Sequence, residues 1–114
     1  MNVRIAFRGM DHSNAMETYA REAMQKINTF LKSEHEPISL DCVLEAARQH
    51  HHHKVEIRLT SKHYHTVVVQ EGPELYLLID TAVKITVEDI KKQKDKALSK
   101  RNHPEHTIKD NEEE

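Results

Sequence analysis

Between Leu75 and Ile90 the residues Leu75, Leu78, Ile79, Ala82, Thr86 and Ile90 recur at three- and four-residue steps, which puts them on one stripe of a helix. A helix with a single buried stripe must lay it against another layer, and this constrains the fold more than any other feature of the chain. Glu71-Gly72-Pro73-Glu74 reads as the start signal: proline is tolerated in a first helical turn, and the carboxylates suit the positive end of the helix dipole. A second helix follows Ser13, a good N-cap residue. There Met16, Tyr19, Ala20, Ala23, Met24, Ile27, Phe30 and Leu31 keep helical spacing for four turns.

The remaining segments alternate with period two. Val3, Ile5 and Phe7 oppose Arg4, Ala6 and Arg8 in a first strand that Gly9 ends. Ile38, Leu40, Cys42 and Leu44 oppose Ser39, Asp41, Val43 and Glu45 in a second. Val55, Ile57 and Leu59 make a third strand, Thr60-Ser61-Lys62 a tight turn, and Tyr64 to Gln70 a fourth strand whose Val67-Val68-Val69 run leaves its facing open. The expected class is α+β, with order β-α-β-β-β-α. A strand–helix–strand start implies a parallel crossover and the short later links imply antiparallel hairpins. One four-stranded mixed sheet with two helices packed on one face covers both stripes.

The 114 residues fit one domain, expected over 1–101, followed by an acidic and disordered tail over 102–114. An apolar fraction of 37% without tryptophan supports a compact core rather than a large ligand cavity. Cys42, the one cysteine, faces inward and is expected to be inert; no disulfide is expected, and a cytoplasmic location follows. No apolar run reaches signal-peptide or membrane-span length.

The net charge of −2 conceals a segregated pattern. Residues 1–83 carry nine Lys/Arg against eleven Asp/Glu, 84–101 carry seven against three, and 102–114 carry one against five. Lys91, Lys92, Lys94, Lys96, Lys100 and Arg101 crowd the end of the second helix. Such a run has two readings: a solvated face that complements the helix dipole, or an arm that contacts phosphates. Its density favours the second. Without a helix-turn-helix or finger signature, and without arranged aromatics, backbone and shape contact with folded RNA is the expected mode.

His50 to His53, with His63 and His65, suggest a metal site. However, His63 and His65 are expected opposite residues near Leu59 and Ile57, with the histidine run at the far end of the third strand, so a solvated turn over Ala46 to His53 is the expectation. With Gly9 and Gly72 as the only glycines there is no phosphate-cradling loop or nucleophile elbow. Glu45 and Glu56 read as outward strand positions, so no enzyme, cofactor or small-molecule substrate is expected.

Glu71-Gly72 followed by Glu74-Leu75-Tyr76 and Ile79-Asp80 resembles the Glu-Gly-x-Asp-Met-Tyr-x-x-Ile-Asp signature of the ribosome hibernation promoting factor and ribosome-associated inhibitor (protein Y) family. The likeness includes His52 to Ile57, Tyr19, Lys26 and Phe30 on the first helix, and Lys92-Gln93-Lys94-Asp95-Lys96, and covers about residues 2 to 101. The chain looks like a short form without a C-terminal dimerisation domain, and its acidic end is similar to the inhibitor branch. The resemblance implies the βαβββα fold and a bacterial, non-enzymatic stress factor, monomeric off the ribosome. Such a factor binds small-subunit rRNA in the mRNA and tRNA channel, inhibits translation and promotes hibernation. Lys26, Lys84, Lys92, Lys94 and Lys96 match basic positions of the family pattern, and the basic run adds Lys91, Lys100 and Arg101 to the expected RNA-binding residues. Ile85, Glu88, Ala23 and Thr29 stand where the family pattern is basic, which leaves a divergent, protein-binding regulator as the alternative. The acidic tail is expected to compete with RNA for the basic arm.

Overall fold

The computed structural model describes residues 1–47 and 52–102, with side chains as far as Lys96. The order is β1 (Asn2–Arg8), α1 (Asn14–Thr29), β2 (Ser39–Glu45), β3 (His53–Thr60), β4 (His65–Gly72) and α2 (Leu75–Asn102). The strands form one sheet in the order β1-β2-β3-β4. β1 runs parallel to β2, with Ile5 opposite Cys42, and the other two pairings are antiparallel. The α+β architecture expected from the sequence is therefore the one observed. The expected acidic tail and two of the run's histidines, His50 and His51, lie outside the described residues.

Burial follows the alternation. In β2, Leu40, Cys42 and Leu44 are buried, and Val55, Ile57 and Leu59 do the same in β3. Met24 and Ile27 of α1 and Ile79, Ala82, Thr86 and Ile90 of α2 close the core from the helix side, and none of the six is accessible to solvent. A fully buried Leu, Ile or Met contributes roughly 1.5–3 kcal/mol, so this seam carries the fold. Burial also pushes the Cys42 thiol up to about 12, which keeps it protonated and unreactive. Ser13 caps α1, its hydroxyl accepting from the Met16 N–H at 3.2 Å. The Thr86 hydroxyl, buried in the seam, donates to the Ala82 carbonyl at 2.8 Å.

Three expected boundaries move. Glu71 and Gly72 belong to β4, opposite Lys54 and His53, rather than to the helix start. The ladder stops at Pro73, which has no N–H to give it. The first intrahelical bond then runs from the Leu78 N–H to the Glu74 carbonyl at 3.0 Å, so Pro73 precedes the helix. His53 opens β3, which shortens the expected histidine turn. Thr60 closes β3 and the Ser61 N–H bonds the Tyr64 carbonyl at 3.0 Å, making the turn Ser61 to Tyr64. His65 consequently lies opposite Thr60, not near Ile57. The facing of β4 is settled as well: Thr66 and Val68 point to α2, while Val67 and Val69 face solvent.

Two local devices fix the loops. Gly9 sits at φ +65°, where a Cβ would stand 2.7 Å from the Ala46 carbonyl oxygen. Left-handed strain combined with a backbone collision makes Gly9→Ala destabilising by about 1–3 kcal/mol in urea denaturation. Glu34 joins the α1–β2 loop to the β3–β4 turn by accepting from the His63 N–H at 2.9 Å, with the His63 Nδ1 a further 2.9 Å from its other oxygen. Burial raises the Glu34 pKa, but hydrogen bonds from Ser61 and His63 outweigh it and bring the group down to about 2 from an ordinary 4.5. A depressed carboxylate contributes stability above its unfolded value that is lost as pH falls through the folded one. Urea midpoints measured from pH 7 down to pH 2 are expected to drop more steeply for the natural chain than for Glu34→Gln, which starts lower and flattens the acid limb.

Candidate nucleic-acid interface

The two helices lie side by side on the sheet without closing over one another, because each stripe is turned down into the core. Between them runs an open groove of about 710 Å³, floored by Ala23, Val83 and Val87 and walled by Phe30. Lys26 comes to it from the last turn of α1, and Lys84 and Lys91, seven residues apart on α2, from the other side. The Lys91 Nζ stands 5.0 Å from the centroid of the Phe30 ring, a cation–π contact that holds the ammonium over the groove. Asp80 and Glu88 also line it and temper its charge.

The expected basic residues therefore do not form a single arm. Lys26, Lys84 and Lys91 converge on the groove. Lys94, half-buried and three residues past Lys91, continues the same side. Lys92 is seven residues from Ile85 and three from Asp89, and Lys96 follows it at i+4, so this pair rides on the opposite flank of α2. The helix continues through Lys100 and Arg101, whose side chains are outside the described set. Gln93 is the last described side chain tied to the sheet, through Thr66 at 3.1 Å. Beyond it the helix carries its lysines past the sheet.

The opposite face of the sheet contrasts with the groove. Strand register sets Arg4, Asp41 and Arg58 in one row, and Arg8, Glu45, Lys54 and Glu71 in another. Arg4 Nε pairs with Asp41 at 3.2 Å and Arg58 with Glu56 at 3.0 Å, so charge is balanced there. Glu45 and Glu56 lie on this face, as their outward strand positions imply. Among the described residues, no lysine side chain forms an ion pair within 4.0 Å. The groove lysines are left available to an anionic ligand.

Sequence reasoning missed the latch that sets the groove's width at its α2 start. Tyr19 on α1 donates to Asp80 on α2, 2.7 and 2.8 Å from the two carboxylate oxygens, and its ring meets Tyr76 edge-on at 4.9 Å. Both residues carried the family resemblance, yet no local pattern links positions 61 apart. The hydrogen bond to Asp80, with desolvation and the carboxylate charge, raises the Tyr19 pKa above its ordinary 10. By ultraviolet titration, the tyrosine signal that Tyr19→Phe removes is expected to ionise above pH 10, and Asp80→Asn is expected to move it back toward 10.

A four-stranded mixed sheet under two helices, in this order, is the fold of ribosomal protein Y. The structure resembles the Thermus thermophilus Protein Y N-terminal domain with a TM-score of 0.69 at 20% identity, over 81% of this chain and 98% of that one. It resembles a ribosomal subunit interface protein from Coxiella burnetii with a TM-score of 0.67 at 13% identity, over 83% and 99%. The chain belongs to the sigma 54 modulation protein / S30EA ribosomal protein family, whose model matches residues 3–98. No curated protein sequence matches it. The family resemblance carried by the sequence is borne out. Among the described residues, no helix is long and apolar enough to cross a membrane.

Proposed function

We propose that the chain is a non-enzymatic, cytoplasmic ribosome-associated factor that binds small-subunit rRNA in the channel used by mRNA and tRNA, so that its folded body excludes both and idle ribosomes are held inactive. The observation that carries this reading is the groove itself. Lys26, Lys84 and Lys91 converge from two helices with no ion-pair partner among the described residues, while the far face of the sheet is charge-balanced. Family membership supports the ribosome as target. Ammonium groups placed along an open groove meet phosphates and release counterions without reading bases, which suits a structured RNA backbone. Lys94 and the lysines beyond the sheet extend the contact along α2.

Co-sedimentation with small ribosomal subunits across a salt series tests this. Contact with about five phosphates gives log affinity a slope against log salt of roughly −3.5 to −4.5. Replacing Lys26, Lys84 and Lys91 together by Gln is expected to weaken binding and to flatten that slope by about 2–3. Absence of association even at low salt would overturn the proposal. Glu88 in the groove favours one competitor, a protein ligand, and capture of a single partner insensitive to nuclease would put that reading first.

A further inference from the structure

Among the described residues, the sheet order leaves β1 and β4 as free edges. β1 carries Arg4 and Arg8, charges of the kind that deter a second strand. β4 has no lysine, arginine or proline between His65 and Gly72, and it exposes Val67 by 57% and Val69 by 41%. The direction of its free backbone groups follows from the turn. The Ser61–Tyr64 bond makes that a hydrogen-bonded pair, and bonded and unbonded pairs alternate along an antiparallel ladder. His65, Val67, Val69 and Glu71 therefore point N–H and C=O away from β3. Two side-chain amides confirm it: Gln70 Nε2 donates to the Val69 carbonyl at 2.9 Å, and Gln93 Nε2 reaches the His65 carbonyl at 3.4 Å.

We propose that this edge pairs antiparallel with the same strand of a second copy of the chain, about a twofold axis at Val68. In that register Val67 lies opposite the partner's Val69 and His65 opposite the partner's Glu71. All four outward residues then occupy hydrogen-bonded positions. The edge is self-complementary, with an apolar centre and an imidazole facing a carboxylate at each end, as a twofold interface requires. Glu71 is held by His52 through Oε1 at 2.6 Å and lies opposite Lys54 of β3, so its second oxygen is the one that meets the incoming His65.

The helix layer agrees with this axis. α2 runs back along β4: the Thr66 hydroxyl donates to Asp89 at 2.7 Å near one end, and the Leu78 side chain lies 3.3 Å from where a Gly72 Cβ would stand near the other. Ile85 is seven residues from Leu78 and four from Asp89, so it shares their flank and sits about level with Val68. Partly buried against the core, it is the apolar residue on that flank nearest the axis. Because α2 packs on both β3 and β4, strands about 4.8 Å apart would set the two α2 axes roughly 10 Å apart, the spacing of packed helices. Ile85 of one copy then meets the partner's Ile85. The groove of Lys26, Lys84 and Lys91 lies on the other flank and stays open in both copies. The monomer expected from the sequence would then be one side of an equilibrium with this dimer.

Sedimentation equilibrium of the full chain, from micromolar to millimolar, is expected to show a reversible monomer–dimer equilibrium. Val67→Lys on the edge strand and Ile85→Arg on the outer flank of α2, neither of them fully buried, are each expected to weaken dimerisation by about tenfold or more with unchanged far-UV circular dichroism. His65→Glu sets two carboxylates opposite each other and weakens the dimer; adding Glu71→Lys restores it. A chain that stays monomeric at millimolar concentration, a dimer indifferent to Val67→Lys, or a double variant no tighter than His65→Glu overturns the proposal. Small-subunit co-sedimentation by Val67→Lys, expected at natural strength, separates this surface from the groove.

Discussion

Burial on one side of the sheet is the constraint on which the rest of the molecule depends. Leu40, Leu44, Val55, Ile57 and Leu59 point to the helices, and Met24, Ile27, Ile79 and Ile90 come down to meet them. With the other sheet face left to solvent, this seam is where, among the described residues, buried apolar area offsets the entropy of ordering the chain. The stripes are narrow, and both are spent on the sheet. Little apolar surface remains for the helices to bury against one another above it. The groove is thus a consequence of the same pattern that specifies the fold.

That arrangement also explains why a chain with net charge −2 can present a positive surface. On strands, outward residues of neighbouring strands stand about 5 Å apart, and Arg4, Arg8, Lys54 and Arg58 cancel against Asp41, Glu45, Glu56 and Glu71 across the register. On the helices the lysines stand on two elements separated by the groove, where each faces open space more than a carboxylate. Phe30 adds a resting place for one of them. At an exposed site a cation–π contact is worth about 0.5–1 kcal/mol, small enough for Lys91 to exchange the ring for a phosphate without a large cost.

The fold was legible because its signals are local and periodic. Cys42 was placed inward by its neighbours Leu40 and Leu44, and Ser13 was recognisable as a cap before the Met16 N–H was seen to reach it. The misreadings came where a distant partner decides. Glu71 and Gly72 carry a helix-start signal, yet Lys54 and His53 across the sheet draw them into β4. Three consecutive valines have no period, and the facing of β4 was set by α2, through Thr66 and Asp89. For the site, residue type was legible and geometry was not. The run from Lys91 to Lys96 reads as one arm in the sequence, whereas a 3.6-residue period deals Lys91 and Lys94 to one flank and Lys92 and Lys96 to the other. That Lys26 joins Lys84 and Lys91 depends on two helices meeting, which no spacing records.

α2 therefore has three distinct sides, and their division follows from its pitch. Its buried stripe fixes it to β3 and β4, its α1 side supplies the groove lysines, and its outer flank carries Ile85 beside the edge strand β4. Because Ile79, Thr86 and Ile90 of the buried stripe are wholly enclosed, the helix cannot roll to favour one flank without opening the core. A ligand in the groove and a strand on β4 would accordingly act on a rigid element from opposite sides. Any influence of one on the other must pass through displacement of α2, and Tyr19 opposes this by tying Asp80 to α1. The fold thus favours independence of the two surfaces over coupling between them.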